Sequence, residues 1–432
     1  MFKGLKYGLV LLAACALMAG CRKTIVPKGQ PEPGERVYTG CLPQNPDKLP
    51  RFYLDLPQGW ELSDIRKNVW TEKCSVRILA SENGVESTVF TAREGAKVKG
   101  HGNSTFKAYP KKPLTVNFSE QVNFLGTGKT KHWVLMANWM DRTLLRNDLA
   151  FELARHTSLE WTSSGTFVEL YVNNEYRGIY WLGEKVHAEG SHFKCDYLYS
   201  YDTSDPSEHD FDSEHGHWKK STRVGGIPVE LKYPDRDDYT PQQFNNILSQ
   251  AKSVLYGIED AIMRGDKPGS VMDMNTLCDF YIIQEVCGNG ETQFPKSTFL
   301  YYRDGKLYWG PVWDFDYGTF TPEHHGLPLK SALYYYQLWT HPDFKSHLKH
   351  RWSILKPIFK DVVPYIDKRA AFIREAEKRN HEMWPCFPNP LAEDPSGLLN
   401  GDENLSFDEA VARIKQTLLD RIAEVDLEIN RL

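Results

Sequence analysis

The segment Pro295–Gly318, PKSTFLYYRDGKLYWGPVWDFDYG, carries the most informative local pattern in the chain. Two aromatic-rich runs flank Asp304-Gly305, a dipeptide typical of the tight turn in a β-hairpin. The second run leads into two acidic residues, Asp314 and Asp316. If the strand continues that far, both side chains point to the same side of it, because side chains alternate along a strand. The segment therefore predicts a hairpin whose second strand ends in two carboxylates that face one way.

Paired carboxylates at the end of an apolar strand favour a positively charged partner between them. Mg²⁺ is one candidate, because it binds one or two carboxylates together with phosphate oxygens. The alternative is that the two Asp side chains cap the following turn or pair with an arginine. The pattern by itself leaves both interpretations open.

Length and composition limit the class of protein. The chain has 432 residues, enough for one large or two ordinary domains with a sizeable core. Apolar residues make up 41% and charged residues 25%, which is typical of a globular protein. The formal net charge of -5 argues against general nucleic-acid binding, which usually needs a basic excess. The many aromatic residues suit short strands or a carbohydrate-facing surface.

The N-terminus predicts export. Lys3 and Lys6 precede an apolar run, which indicates a signal peptide over residues 1–20 rather than a membrane span. Small residues directly before Cys21 resemble a bacterial lipobox, so we expect lipidation of that thiol; an ordinary secretory signal is the alternative. Residues 21–50, rich in Pro, Gly, Lys and Gln, predict a tether. We expect a protein anchored to the bacterial cell envelope, at the outer membrane, by its lipid alone.

A loop with two glycines follows the predicted strand Ala96–Lys99. Its small residues let the backbone approach a ligand, and backbone N–H groups in such loops can hold a phosphate. A plain turn would have the same composition. The loop residues that we predict to contact a ligand are Gly100, Gly102, Asn103 and Ser104.

A lysine close to this loop is a candidate phosphate ligand. Leu114, Val116 and Phe118 alternate with polar residues, so they should face the core. By the same period Lys112 shares their face, whereas Lys111 points outward. Lys112 is thus predicted to hold a phosphate; the alternative is that its ammonium group extends to the surface.

A further candidate is an arginine on a predicted helix, Arg142–Thr157, for which Asp141 is the predicted N-cap. Arg146 lies in helical register with Leu149 and other apolar residues, so we expect it to be buried. A buried guanidinium must be paired. It would hold a phosphate or one of the carboxylates, or it would form a salt bridge in the core.

Strands concentrate before about residue 235 and helices after it, which predicts an α+β fold. The strongest helix is predicted at Asp273–Cys287, with Asp273 as its cap and Gly288 at its end. We therefore expect a β-rich lobe at about 51–235 and an α-rich lobe at about 236–432.

Five segments in order resemble the spore-coat-protein-H (CotH) kinase family, whose members are secretory and surface proteins with an atypical protein-kinase-like fold. Each motif is modest alone, but five in the family's order are specific, and together they span most of the mature chain. The segments are Val98–Phe106, Tyr109–Pro113, Asn138–Asn147, Val168–Tyr180 and Gly310–Asp316.

The resemblance implies a bilobal kinase-like domain over residues 51–432, with ATP and Mg²⁺ as cofactors. It also implies roles for individual residues, including Glu291, which stands where the family usually has an Asp. The residues predicted to be catalytic are Asp314, Glu291 and Arg146; those predicted to bind nucleotide are Gly100, Gly102, Asn103, Ser104, Lys112, Arg142 and Glu230; those predicted to bind the metal are Asp314, Asp316 and Asn289.

Two functions follow from the resemblance and the N-terminus together. The first is Mg²⁺-dependent phosphoryl transfer from ATP to hydroxyls of a secreted or surface protein, so the expected partners are a nucleotide and a protein acceptor. The second is a kinase-like scaffold of the cell envelope, with little or no activity, that binds surface protein or glycan.

Overall fold

A computed structural model describes residues 41–432, except 45, 103, 189–192, 203–216, 219–226, 387–399 and 403. The predicted signal peptide, the predicted lipidation site Cys21 and most of the predicted tether lie outside the described residues. No helix among the residues that the structure describes is long and apolar enough to cross a membrane.

Most strands precede residue 235 and the long helices follow it, with a later hairpin at residues 298–309, so the predicted α+β class is confirmed. The strands within the described ranges are β1 (Arg51–Asp55), β2 (Thr71–Glu82), β3 (Val85–Gly100), β4 (Leu114–Val122), β5 (Thr130–Met136), β6 (Gly165–Val172), β7 (Glu175–Glu184), β8 (Tyr197–Tyr201), β9 (His217–Trp218), β10 (Val229–Tyr233), β11 (Thr298–Arg303) and β12 (Lys306–Trp309). The α-helices there are α1 (Ser104–Ala108), α2 (Arg146–Arg155), α3 (Pro241–Arg264), α4 (Pro268–Val271), α5 (Met274–Cys287), α6 (Tyr335–Leu338), α7 (Pro342–Lys360), α8 (Val363–Met383) and α9 (Phe407–Asn430).

The first seven strands close into a barrel in the order β1-β2-β3-β4-β5-β7-β6. Strands β1 and β6 run parallel and complete the ring, whereas the other neighbours are antiparallel. Alternate apolar side chains fill the interior, and Leu114, Val116 and Phe118 of β4 are buried there as the sequence predicts. The barrel therefore has a core of its own.

The predicted hairpin forms the edge of a second sheet, in the order β12-β11-β8-β10-β9. Asp304 and Gly305 join β11 to β12 with φ values of 51° and 79°, as a tight turn of this kind requires. The second strand ends at Trp309, so the prediction that it continues to Asp316 is wrong. Pro311 has no N–H to donate to a ladder, which explains why the pairing stops there.

Two predicted helices have different outcomes. Helix α5 is confirmed, since Asp273 accepts a bond from the Thr276 N–H (2.8 Å) and Gly288 ends the helix with a φ of 65°. Helix α2 begins four residues later than predicted. Asp141 accepts bonds from the N–H groups of Thr143 and Arg146 (2.9 and 2.8 Å), so it holds the turn that precedes the helix instead of capping it.

Part of the predicted tether belongs to the folded body. Leu42 and Leu49 are buried, and the Leu42 N–H donates to Phe124 O at 2.7 Å. The ordered body therefore begins before Arg51, the residue where we expected it to start.

Arg146 is fully buried at the first turn of α2, as its helical register predicts. Its guanidinium contacts two buried carboxylates, Asp141 at 2.5 Å and Asp402 at 2.6 Å, and donates to Thr319 O at 2.8 Å. These contacts connect α2 to the chain that follows β12 and to the chain that precedes α9. The core salt bridge, which was one of the two interpretations, is the arrangement that the structure has.

We expect Arg146→Met to lower the free energy of unfolding by about 3 to 5 kcal/mol, because it leaves buried Asp141 without its cation and Asp402 with only the more distant Arg413. The measurement is urea denaturation followed by tryptophan fluorescence. The matched control is Arg155→Met on the exposed end of the same helix, which should cost about 1 kcal/mol or less. Equal losses in the two variants would contradict a special role for the buried ion pairs.

Candidate active site

A cleft of about 1270 Å³ lies where the barrel, the second sheet and the segment after β12 meet. Residues from both halves of the chain contribute to its walls. Of the residues that the sequence singles out, those that line the cleft are Gly100, Gly102, Glu230, Glu291, Asp314 and Asp316. The glycine loop and the acidic end of the hairpin segment therefore share one cavity.

Hydrogen bonds from distant parts of the chain hold the acidic segment in place. The Phe315 N–H donates to Asn147 Oδ1 at 2.7 Å. Asn400 donates to Asp316 O at 2.9 Å and accepts a bond from the Gly318 N–H at 2.7 Å. These contacts fix the backbone between the two Asp residues and directly after them without a β-ladder.

The backbone at two residues of the site is in the left-handed region. Asp314 has a φ of 67° and Ser297 a φ of 47°, and Ser297 Oγ donates to Asp314 Oδ2 at 3.0 Å. Non-glycine residues in this region concentrate at functional sites, because the surrounding structure must stabilise the unfavourable conformation. The geometry at Asp314 also explains why strand alternation did not describe this segment.

Asp314, Asp316 and Glu291, here called the acidic cluster, have raised pKa values. Burial raises the pKa of Asp316 well above its usual range, and the charges of Asp314 and Glu291 add to the effect. Burial likewise raises the pKa of Asp314, although a hydrogen bond from Ser297 opposes the shift. The pKa of Glu291 rises to about 7, through burial first and then the charge of Asp314. The cluster is therefore strained by like charge when it is fully ionised.

Asn289 lies beside the acidic cluster but does not line the cleft. Its side-chain oxygen accepts a bond from the Glu291 N–H at 3.1 Å, and its amide nitrogen is 3.5 Å from Asp314 O. The oxygen that a metal would need is thus already engaged. The position of Asn289 supports a role in holding the two acidic residues rather than the predicted role as a metal ligand.

The acidic cluster meets the needs of Mg²⁺ only in part. Among the described residues, no group of three or more His, Cys, Asp or Glu side chains is arranged to hold a metal ion. Mg²⁺, however, needs only one or two carboxylates when phosphate oxygens and water complete its shell. The side chains of Asp314 and Asp316 interact directly: the negative charge of Asp314 helps to raise the pKa of Asp316, whereas a hydrogen bond with Asp316 lowers the pKa of Asp314. A cation between them would remove the repulsion between the two carboxylates, so Asp314 and Asp316 fit an Mg²⁺ ion.

Three lysines line the same cleft as the acidic cluster. Lys99, Lys185 and Lys232, here called the lysine cluster, line the same cavity. Burial lowers the pKa of Lys185 to about 8, and the charges of Lys232 and Lys99 contribute. Lys99 has a lowered pKa for the same reasons, with burial as the main cause. Several cations that repel one another in a partly buried cavity favour a polyanion, although Glu230, Asp235 and Asp237 offset part of their charge.

The glycine loop approaches the acidic segment closely. The ring of His101 lies 6.2 Å, between centroids, from the ring of Trp313, the residue before Asp314. A Cβ atom at Gly100 would overlap the ring of Phe106, and Gly102 has a φ of 75°, so both positions favour glycine.

The backbone of this loop has less capacity for phosphate than we predicted. The N–H groups of Gly100 and His101 donate to Arg66 O (2.9 Å) and Pro113 O (3.0 Å), so neither is available to a ligand. Asn103 and the side chain of Ser104 lie outside the described residues. The lysine cluster is therefore the stronger candidate for phosphate binding.

The prediction that Lys112 faces inward and Lys111 outward is wrong. Lys111 is buried and donates to Ala137 O (2.7 Å), Ile179 O (2.5 Å) and Asn380 Oδ1 (3.0 Å). Lys112 is partly exposed outside the cleft, where it donates to Phe106 O at 2.7 Å. Strand β4 begins only at Leu114, so its two-residue period does not extend back through Pro113.

Two predicted arginines lie outside the cleft: Arg146, expected to be catalytic, and Arg142, expected to bind nucleotide. Arg142 Nε donates to Leu405 O at 3.2 Å, and the guanidinium of Arg146 is enclosed in its ion pairs. Arg146 reaches the site only through Thr319 O, so it acts as a positioning residue.

Glu230 does line the cleft, where its carboxylate pairs with Lys232.

Sequence reasoning missed several residues of the cleft. No sequence motif surrounds Lys185. It lines the cleft because β7 extends to Glu184 and Lys185 directly follows the end of this strand. Tyr109 and Trp139 stack at 4.6 Å between centroids and also line the cavity. They belong to two motifs that were recognised separately, but no local signal indicates that their rings meet.

One comparison with known proteins bears on this site. A family model described as CotH kinase protein matches residues 98–423, which is most of the chain. The matched region contains the glycine loop, both clusters and the helical part of the fold. No curated protein matches this chain.

We expect the acidic cluster to make stability fall as pH rises when no divalent cation is present. Between the usual carboxyl pKa and the raised one, the folded state retains protons that the unfolded state has lost, so the free energy of unfolding decreases with pH. Asp316→Asn should therefore stabilise the protein by about 1 kcal/mol or more at pH 8 in EDTA. The gain should disappear near pH 4, where the carboxyls are protonated.

The measurement is the urea midpoint across this pH range, with Asp420→Asn on the exposed face of α9 as a control that should change nothing. Parallel pH profiles for the natural protein and Asp316→Asn would contradict the raised pKa of Asp316.

Proposed function

We propose, because this chain belongs to the CotH kinase protein family, that it transfers a phosphoryl group from ATP to hydroxyls of a secreted or surface protein. The observation that carries the proposal is that the lysine cluster and the acidic cluster line one cleft. A nucleotide polyphosphate with its Mg²⁺ has the complementary charges. Phosphoryl transfer needs mainly such positioning and charge compensation.

In this proposal the lysine cluster binds the phosphate oxygens, and Asp314 and Asp316 hold Mg²⁺. The ion would supply charge neutralisation between the carboxylates and the phosphates. Ser297 and Asn289 orient the acidic residues through their hydrogen bonds. The barrel then corresponds to the nucleotide-binding lobe of a kinase-like fold, and the helical part to the other lobe.

Glu291 is the residue that we assign to the acceptor hydroxyl. Its pKa of about 7 is close to that of an effective general base at neutral pH. Lys296 lies 3.9 Å from its carboxylate and favours the ionised form. Glu291 would take the proton of the hydroxyl as its oxygen attacks the terminal phosphorus of ATP, and the bond from that phosphorus to the bridging oxygen would break to release ADP.

We further propose that the chain acts outside the cytoplasm, attached by a lipid on Cys21. The N-terminal pattern supports this location, and the acceptor would then be a protein of the envelope. Because ATP is scarce outside the cytoplasm, the location also favours a second function.

The second function is a kinase-like scaffold that binds envelope protein or glycan with little turnover. One observation favours it: the Gly100 N–H and the Asn289 side-chain oxygen, both expected to hold a ligand, form hydrogen bonds within the chain. The nucleotide-binding measurement below distinguishes the two functions.

We expect ATP to raise the melting temperature of the full-length protein, and to raise it further when Mg²⁺ is present. Asp314→Asn should abolish the Mg²⁺-dependent part, because it removes one carboxylate of the metal pair. Lys185→Gln should weaken ATP binding about tenfold, since it removes a charge-assisted phosphate contact. Lys112→Gln is the matched control and should leave ATP binding unchanged.

The Lys112→Gln control also decides whether Lys112 or the lysine cluster binds the phosphates of ATP. Should Lys112→Gln weaken ATP binding as much as Lys185→Gln, the lysine cluster would not be the phosphate site. If millimolar ATP gives no shift with or without Mg²⁺, the scaffold is the better description.

For catalysis, we expect Glu291→Gln to lower the rate of ATP turnover about 100-fold, because the amide cannot accept the proton. The shift in melting temperature with ATP and Mg²⁺ should persist, which separates loss of chemistry from loss of binding. Turnover is measured as release of ADP. Unchanged turnover in this variant would exclude Glu291 as the base.

A further inference from the structure

A second cavity, of about 1060 Å³, adjoins the candidate active site. The segment 100–113 contributes to the walls of both: Gly100, Tyr109 and Lys111 line the cleft, whereas Phe106 and Lys112 line the second cavity. Residues 67 and 68 line both cavities. A ligand in the second cavity would therefore extend along the glycine loop and reach the cleft at these two residues.

The second cavity, here called the basic groove, has an excess of positive charge. Its charged lining residues are Arg66, Lys67, Lys107, Lys112 and Arg177, against Glu61 and Glu175. Glu175 pairs with Arg177, so the remaining lining residues still carry several positive charges and one negative charge. This excess is notable in a chain whose formal net charge is -5.

The hydrogen bonds of two groove cations do not neutralise them. Arg66 Nη1 donates to Ser63 O at 2.7 Å, and Lys112 Nζ donates to Phe106 O at 2.7 Å. Both acceptors are neutral backbone carbonyls, which fix the position of each cation but leave its charge in place. The groove therefore presents a fixed positive potential to an incoming ligand.

Aromatic side chains complete the lining. Trp60 is 40% exposed at the groove, and Trp384 and Phe106 are partly buried in its walls. The Trp384 Nε1–H donates to Arg177 O at 2.8 Å, which fixes the orientation of that ring. Exposed aromatic area among cations is suited to a ligand that has both acidic and apolar groups.

We propose that the basic groove docks an acidic segment of the acceptor protein, with aromatic or aliphatic residues among its carboxylates. Docking would place a neighbouring hydroxyl of that segment in the cleft, a step that rests on the proposed phosphoryl transfer. Charge complementarity selects an acidic polypeptide over a neutral glycan, which would gain nothing from the cations. Residues 67 and 68 line both cavities, so the basic groove adjoins the cleft there.

The test is fluorescence anisotropy with the full-length protein and a labelled peptide in which Glu and Phe alternate on both sides of one Ser. A second peptide has Lys in place of each Glu. We expect the acidic peptide to bind at least tenfold more tightly than the basic one, with an affinity that falls as salt is added.

Two variants locate the binding. Lys107→Glu reverses an exposed charge in the groove and should weaken binding of the acidic peptide about fivefold. Trp60→Ala should weaken it to a similar extent through lost aromatic contact. The matched control is Lys349→Glu on the exposed face of α7, outside the groove, which should have no effect.

Three results would overturn the proposal: equal affinity for the two peptides, an equal effect of Lys349→Glu and Lys107→Glu, or displacement of the acidic peptide by a neutral hexasaccharide. The last result would identify a glycan site. Because the peptide is measured without nucleotide, groove binding is tested separately from the proposed activity. The melting-temperature shift with ATP and Mg²⁺ in Lys107→Glu shows whether the active site is intact.

Discussion

The buried guanidinium of Arg146 is the contact on which the geometry of the cleft depends. It joins Asp141 and Asp402 in the core and holds Thr319 O, three residues after Asp316. The side-chain oxygen of the next residue, Asn147, accepts a hydrogen bond from the Phe315 N–H, between Asp314 and Asp316. Side-chain bonds from the core, not β-pairing, therefore position the two acidic residues. Such hydrogen bonds can keep two like charges close together, although the repulsion between the charges lowers the stability of the folded protein.

The parts of the fold with strong local signals could be predicted from the sequence. The turn at Asp304-Gly305, the cap and end of α5 and the alternation in β4 each depend on residues a few positions apart. Arg146 was correctly predicted to be buried, because helical register alone determines which face it occupies. Its partner Asp402 could not be predicted, since more than two hundred residues separate them and no periodic pattern links them.

The site was harder to predict because its side chains come from segments without regular structure. Lys112 was placed on the wrong face when the period of β4 was extended through Pro113. Lys185 lacks a motif and reaches the cleft only through the length of β7. The acidic residues were recognised from their pattern, although the reason given for their common direction, a continuing strand, was wrong. Proximity in the cleft depends on tertiary structure, which local patterns do not encode.

The way the barrel closes has a consequence for where this protein can be divided. The family match starts at residue 98, near the end of β3, whereas the ring of strands needs β1 to pair with both β2 and β6. A fragment cut at that residue would lose two strands and most of a third, and would leave β6 with an unpaired edge and half of the interior open to water. The segment that the family model matches is thus shorter than the chain that closes the barrel.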